Sequence, residues 1–423
     1  MLVQALYNVV DSIFVSRISE NALTAVTLAF PMQNLMIAVA AGTGVGINAL
    51  LSRSLGEKHF DKADQAACTG ILLNIIHYFI FFLIGIFGAD AFIRSQTSDP
   101  EILALGTTYL SIVCVLSIGM FFQLTLERLL QSTGRTFYSM ISQSVGAVIN
   151  IILDPILIFG VGPVPQMGVA GAAYATIFGQ TVASAIGLYL NMAKNSDIRL
   201  SWKRILHPDS VSVREIYGVG IPSTLMMAIG SAMTYLMNLI LIGFSTTAAA
   251  VFGVYFRLQS FVFMPVFGLN NGVIPVLAYN YGARNAARIK ESLRFTLVLA
   301  LVIMMAGAAV FAAIPGALLD LFAASDEMKV IGIPALRTIA LSFPIAAVCI
   351  VMGSIFQAFS RSIYSLIISV GRQLVVLIPA AWLLSLTGVV ANVWWAFPIA
   401  EIASLLLSTW SFRKIYREMV LTL

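Results

Sequence analysis

The sequence predicts an all-α, polytopic membrane protein: twelve transmembrane helices in two six-helix pseudo-symmetric lobes around a central cleft, with helix 1 truncated at its start. Three observations predict it. Of 423 residues, 59% are hydrophobic and 10% charged, and the mean hydropathy is +0.94. A soluble domain carries about 25% charged residues, so most of this surface must face lipid. The second observation is a count of apolar spans, and the third is an internal repeat.

A helix needs about 20 apolar residues to cross the hydrocarbon core. Stretches of that kind fall at 1–16, 22–52, 66–92, 102–131, 137–159 and 168–191, then at 217–243, 248–278, 293–319, 332–360, 364–386 and 391–412. Connections are short, the longest polar one running from Met192 to Ile216, and no loop has room for a soluble catalytic domain. Taking loops alternately, eighteen of the 24 Lys and Arg fall on one side and four on the other, with Arg257 and Arg372 inside spans. The positive-inside rule then makes both termini cytoplasmic, and the expected location is the inner (plasma) membrane.

The two halves align at one gap-free offset of 226: Gly46 falls on Gly272, Gly56 on Gly282, Lys58 on Arg284, Gln131 on Gln357 and Arg135 on Arg361. A single register over that length signals duplication. Six spans per repeat is an even number, so both halves insert in the same orientation about an axis along the membrane normal. The expected divisions are an N-lobe at 1–195, a cytoplasmic linker at 196–215 and a C-lobe at 216–423. Met1 corresponds to Met227, inside span 7, and sixteen residues cover only about 24 Å of helix. The cytoplasmic start of helix 1 is therefore expected to be missing.

Composition also excludes classes. The net charge of +5 is distributed as topology requires and calls for no nucleic acid. Cys68, Cys114 and Cys349 lie in apolar runs without paired spacing, and His59, His77 and His207 make no ligand pattern, so neither disulfides, a metal site nor a cofactor is expected. The first apolar stretch runs into Arg17 and Glu20 without a small-residue cleavage site, so no cleavable leader is expected.

A charged side chain at the bilayer centre costs about 2.5–3.5 kcal/mol even on insertion scales, so acids within spans are functional candidates. Asp11 shares one stripe of span 1 with Gln4 and Asn8. Asp154 shares a face of span 5 with Asn150 and Gln143, and Thr176 and Gln180 form an i, i+4 pair in span 6. A low dielectric disfavours the ionised carboxylate, which suits proton exchange, while the same oxygens are also ligands for Na⁺. Pro155 withdraws a backbone bond from Ile151 and frees that carbonyl. The bland alternative is that Asn150 and Asp154 satisfy each other and brace a kink. At the offset of 226, Asp11, Asn150, Asp154 and Thr176 map onto Met237, Val376, Ala380 and Ile402. The acid site therefore exists only in the first repeat, and coupling to H⁺ or Na⁺ is expected to be asymmetric.

Weaker signals remain. Met226, Met233 and Met237 share a face of span 7 and offer either an adaptable substrate wall or ordinary packing. Arg257 has Glu401 as a candidate partner in a secondary polar cleft. Trp394 and Trp395 read as interfacial anchors, Glu127 with Arg128 and Arg135 as a structural ion pair, and Pro31, Pro265 and Pro344 as interruptions of their helices.

The chain resembles the multidrug and toxic-compound extrusion (MATE) family over essentially its whole length. The matching segments are Tyr7-Asn8-Val9-Val10-Asp11, Ser52-Arg53-Ser54-Leu55-Gly56, Asn150-Ile151-Ile152-Leu153-Asp154-Pro155 and Gly168-Val169-Ala170-Gly171-Ala172-Ala173. The resemblance implies alternating access and export of amphipathic, often cationic, small molecules in exchange for H⁺ or Na⁺, by a monomer with no cofactor and no enzymatic activity. It also implies that Asp11, Asn150, Asp154 and Thr176 form the ion site. NorM-like members carry further acids in helices 7 and 10, which this chain lacks, so it looks closer to the DinF-like or MepA-like branches. The rival within the superfamily is a flippase of lipid-linked oligosaccharide or precursor, which calls for more basic residues in the cleft. A membrane-embedded enzyme needs a clustered constellation near an interface, and the loops offer none.

Overall fold

A computed structural model describes residues 13–15, 17–322 and 324–422. Its regular structure there is entirely helical. By internal packing the chain divides into two compact units, Met1–Ile221 and Pro222–Leu423.

The first unit contains α1 (Glu20–Gly56), α2 (Phe60–Phe87), α3 (Pro100–Val115), α4 (Ile118–Ser132), α5 (Thr136–Phe159), α6 (Val169–Lys194) and the start of α7 (Ser210–Ile242). The second holds the rest of α7, then α8 (Thr246–Gly282), α9 (Ala286–Ala313), α10 (Asp326–Ala340), α11 (Phe343–Ala358), α12 (Ser362–Ser385) and α13 (Ala396–Ile415). Among the described residues, nine helices are long and apolar enough to cross a membrane, and two bent pairs raise that to eleven. The first predicted span lies almost wholly outside the described residues, and so do Gln4, Asn8 and Asp11.

The repeat is written into the punctuation of the helices. Ser19 caps α1 by accepting from the Ala22 N–H, and Ser245 caps α8 from Ala248 in the same way. Asp99 caps α3 and Ser325 caps α10. The left-handed residues that close helices recur too: Lys58 with Arg284, Gly134 with Ser360, and Gly162 with Gly388. After α1 the His59 N–H reaches the Ser54 carbonyl at 2.9 Å, and after α8 the Asn285 N–H reaches Asn280 at 2.9 Å. These are the long closing bonds of Schellman-type ends. Every one of these pairs is 226 residues apart.

The spans read as 102–131 and 332–360 are each broken and bent by 46°, at Leu116–Ser117 and Leu341–Ser342. Both serines donate to the carbonyl three residues back, Ser117 to Cys114 and Ser342 to Ile339. A hydroxyl bonded this way competes with the backbone ladder and ends the turn. Pro344 follows only the second break, so proline is not the common cause. Contrary to expectation, Pro31 and Pro265 lie inside the continuous helices α1 and α8.

Each unit is held by apolar packing inside and presents apolar ridges outside. On α2, Ile76, Phe79 and Leu83 are exposed, and on α9 so are Val302 and Met305. Lipid is the solvent that such ridges fit. Trp394 departs from its reading as an anchor: it is fully buried, whereas Trp395 is exposed. The two residues form the turn between the short helix Val390–Val393 and α13, where neighbouring side chains point in different directions.

Residues 196–215 are docked on the first unit by charge. Arg204 bridges Asp61 and Asp64 at 3.0 and 3.2 Å, the Arg199 N–H donates to Asp64, and Glu215 pairs with Arg53 and Lys62. Glu127 and Arg128 do not form the expected ion pair. Gln123 donates to Glu127 and Arg128 donates to Gln131, while Arg135 pairs with Asp197.

Asp209 caps α7, accepting from the Ser212 N–H and hydroxyl at 2.9 Å, and these bonds hold its carboxyl below the usual range. A depressed folded-state value adds stability above the unfolded value, which is lost as pH falls through the folded one. Asp209→Ala is expected to cost about 1 kcal/mol. Melting curves should show that loss at neutral pH and a narrowing of the gap to the parent in acid.

Candidate functional site

The site begins with two glycines. Among the described helices, α5 and α6 pack against each other most extensively. They meet where Gly146 faces Gly179. A Cβ on Gly146 would lie 2.7 Å from the Gly179 carbonyl oxygen, and one on Gly179 would lie 2.6 Å from that of Gly146. Only glycine permits this backbone approach. The Ser142 hydroxyl pins the pair further by donating to the Ala183 carbonyl at 2.6 Å.

One turn along, the approach brings three polar side chains together. Asn150 Nδ2 donates to Asp154 Oδ1 at 3.3 Å and to Thr176 Oγ1 at 3.4 Å. All three residues are buried, Asp154 completely. Among the described residues, Asn150 Oδ1 is buried without a hydrogen-bond partner. A buried unsatisfied acceptor costs about 1–3 kcal/mol, and here it sits beside a carboxylate and a hydroxyl oxygen. Oxygen acceptors gathered in this way suit a small hard cation or a proton held at the carboxylate.

A cavity of about 40 Å³ opens next to the cluster, lined among others by Gln123, Gln143, Asn150, Thr176 and Gln180. Gln123 links it to Glu127, to whose Oε1 it donates at 2.9 Å. Glu127 is a buried acid that the sequence reading assigned to an ion pair. Its spacing of four from Gln123 was the available signal. Among the described residues no three His, Cys, Asp or Glu cluster as a metal site.

The other predicted residues lie elsewhere. Glu401 receives Arg372 Nη1 at 2.6 Å rather than Arg257, and Arg257 is exposed. Arg372 is 29 residues from Glu401 in sequence, and only the packing of α12 on α13 joins them. Met233 and Met237 are buried in the core of the second unit. Met226 lines a second cavity in that unit.

The MatE family profile matches two stretches, residues 1–156 and 222–383. The chain belongs to the MatE family. The two matched stretches fall one in each half of the duplicated sequence. The multidrug export protein MepA of Staphylococcus haemolyticus is 26% identical over 405 residues, covering 95% of this chain and 87% of the relative. The FAD transporter of Shewanella oneidensis is 26% identical over 419 residues, covering 94% and 87%. Among solved structures, an outward-facing multidrug-resistance MATE transporter of the MOP superfamily matches with a TM-score of 0.92 and 26% identity, over 99% of this chain and 93% of that one. As a MatE protein the chain is a multi-pass membrane transporter of small molecules and not an enzyme. Its MepA relatives agree with the MepA-like branch suggested by the missing acids of spans 7 and 10.

Proposed function

We propose that this MatE transporter is a secondary active antiporter that exports amphipathic, often cationic, drugs or toxic compounds in exchange for H⁺ or Na⁺ by alternating access. The observation that carries the reading is the buried Asn150–Asp154–Thr176 cluster, with its unpartnered Asn150 oxygen beside a fully buried carboxylate. Such a group binds one ion or one proton at a time, and the cavity beside it gives a route by which loading affects a bound substrate. The multidrug export activity named for the MepA relative supports the substrate class. Asp11 is assigned to the same site on sequence grounds, with Asn8 a secondary polar candidate of the cleft, and the Lys and Arg bias argues for cytoplasmic termini.

The test is ethidium export from proteoliposomes under an imposed pH gradient and then under a Na⁺ gradient, with Asp11→Asn alongside. Transport driven by one gradient and lost in the variant names the ion and supports the reading. Equal transport with and without either gradient removes the antiport mechanism.

A further inference from the structure

The second unit has a cavity of its own, about 150 Å³, lined by Met226, Asn270, Gln357, Ser404, Ser408 and Arg372 among others. It corresponds by repeat to the cavity of the first unit. At the offset of 226, the lining residues Gln123, Leu124, Gln143 and Gly146 fall on Cys349, Ile350, Ser369 and Arg372, all four of which line the second cavity. Duplication has therefore left two equivalent cavities, and their chemistry is opposite. Where the first has a glycine and a nearby buried acid, the second has a guanidinium.

The backbone around Arg372 is also distinct. Gly371–Leu377 is π-helical, whereas the matching stretch of the first unit is ordinary α-helix within α5. A π-turn inside an α-helix is frequent at functional positions. A Cβ on Gly371 would lie 3.2 Å from the Leu407 side chain of α13, so the turn runs close to the helix that bears Glu401.

The ion pair leaves both partners incompletely satisfied. Arg372 Nη1 donates to Glu401 Oε1, and neither its Nε nor its Nη2 has a hydrogen-bond partner among the described residues. Glu401 Oε2 is buried without one. The contact therefore uses one end of the guanidinium and leaves its Nε–Nη2 edge, the edge that matches an oxyanion with two parallel hydrogen bonds. The Arg372 side chain keeps 29% of its surface exposed, and it lines the cavity together with serine hydroxyls and the Gln357 amide as further donors.

We propose that the second-unit cavity is a binding site for the carboxylate or phosphate group of a small molecule, with Arg372 as its anchor and Glu401 as the internal group that competes for the guanidinium. The cavity, about 150 Å³, exceeds the roughly 10–15 Å³ needed by one water about tenfold, so an oxyanion head with a short apolar stem fits. Met226 and Phe267 supply apolar wall. The site is independent of the ion chemistry proposed for the first unit.

The test is calorimetric titration of the purified full chain in detergent micelles with benzoate, phenyl phosphate and neutral benzyl alcohol. The parent is expected to bind the anions and not the alcohol, and the preferred anion names the head group. Glu401→Gln removes the competitor and should tighten anion binding roughly tenfold, within the range of one charge-assisted contact. Arg372→Gln combined with Glu401→Gln keeps shape without leaving a buried lone charge, and should abolish binding. Asp154→Asn should bind anions as the parent does, so a failure of the proposed ion coupling stays separate from a failure here. Undiminished binding in the double variant overturns the proposal. Weaker binding in Glu401→Gln, or no anion binding by either the parent or Glu401→Gln, also overturns it.

Discussion

Asp154→Asn is expected to reduce gradient-driven ethidium export to the rate of empty liposomes while leaving the protein folded. Asp154 is fully buried and takes a hydrogen bond from Asn150. Asparagine has nearly the same shape and keeps an oxygen for that bond, so α5 should pack as before. What disappears is the capacity to carry a charge. A carboxamide neither binds and releases a proton near neutral pH nor supplies the negative ligand that offsets dehydration of Na⁺. Removing a buried carboxylate also relieves a desolvation cost, so the melting temperature should stay level or rise. The pair of measurements is export and melting on the same preparation. Export within a few-fold of the parent would remove Asp154 from the coupling site. A collapse of the melt would make it a structural acid, as in the reading where Asn150 and Asp154 only brace a kink. Glu401→Gln, in the unit without the acid cluster, should be the milder change for ethidium.

Gly179→Val is expected to abolish export with every proposed ligand still in the chain. Its Cβ would be placed 2.6 Å from the Gly146 carbonyl oxygen and 3.2 Å from the Asn150 Cβ. A carbonyl cannot swing aside as a flexible side chain does, so α5 and α6 must separate. Overpacking of this kind costs about 1–3 kcal/mol. The functional loss should exceed the stability loss, because the Asn150–Thr176 contact is already long at 3.4 Å and any separation breaks it. Gly218→Ala is the matched control. Among the described residues nothing lies within 4 Å of a Cβ there, and helix propensity favours alanine by about 1 kcal/mol, so that variant should be neutral or slightly more stable. Equal behaviour of the two variants in melting and export would mean that the α5–α6 approach does not set the site.

Much of the polar cluster was legible along one helix. Asn150 and Asp154 are four residues apart on α5, and helix periodicity alone puts them on one face. That they meet Thr176 was not legible, because it depends on how closely two helices approach. The sequence signal for that approach is Gly146 and Gly179, and glycine in a membrane helix has several other uses. Arg372 and Glu401 show the same limit from the other side. Both were visible as charges within spans, but a pattern read along one helix cannot choose a partner on another, so Glu401 was matched to Arg257. Trp394 and Met237 were misplaced or left open for a related reason. Side chains of these types serve equally at an interface, in a cavity wall or in a core, and only packing selects among them.

The sequence by itself determined what depends on solvent and on local backbone chemistry: helices in lipid, their order along the chain, the duplication, and the confinement of the Asp154 cluster to one repeat. Helix caps and left-handed closing residues are local, so they survive in register at a fixed offset even where side chains have diverged. Tertiary structure alone decided which side chains share a cavity, where spans break at Ser117 and Ser342, and which cation Glu401 holds. Those outcomes rest on ångström-scale distances between helices, which arise from the packing of many side chains at once and leave no periodic trace in the chain.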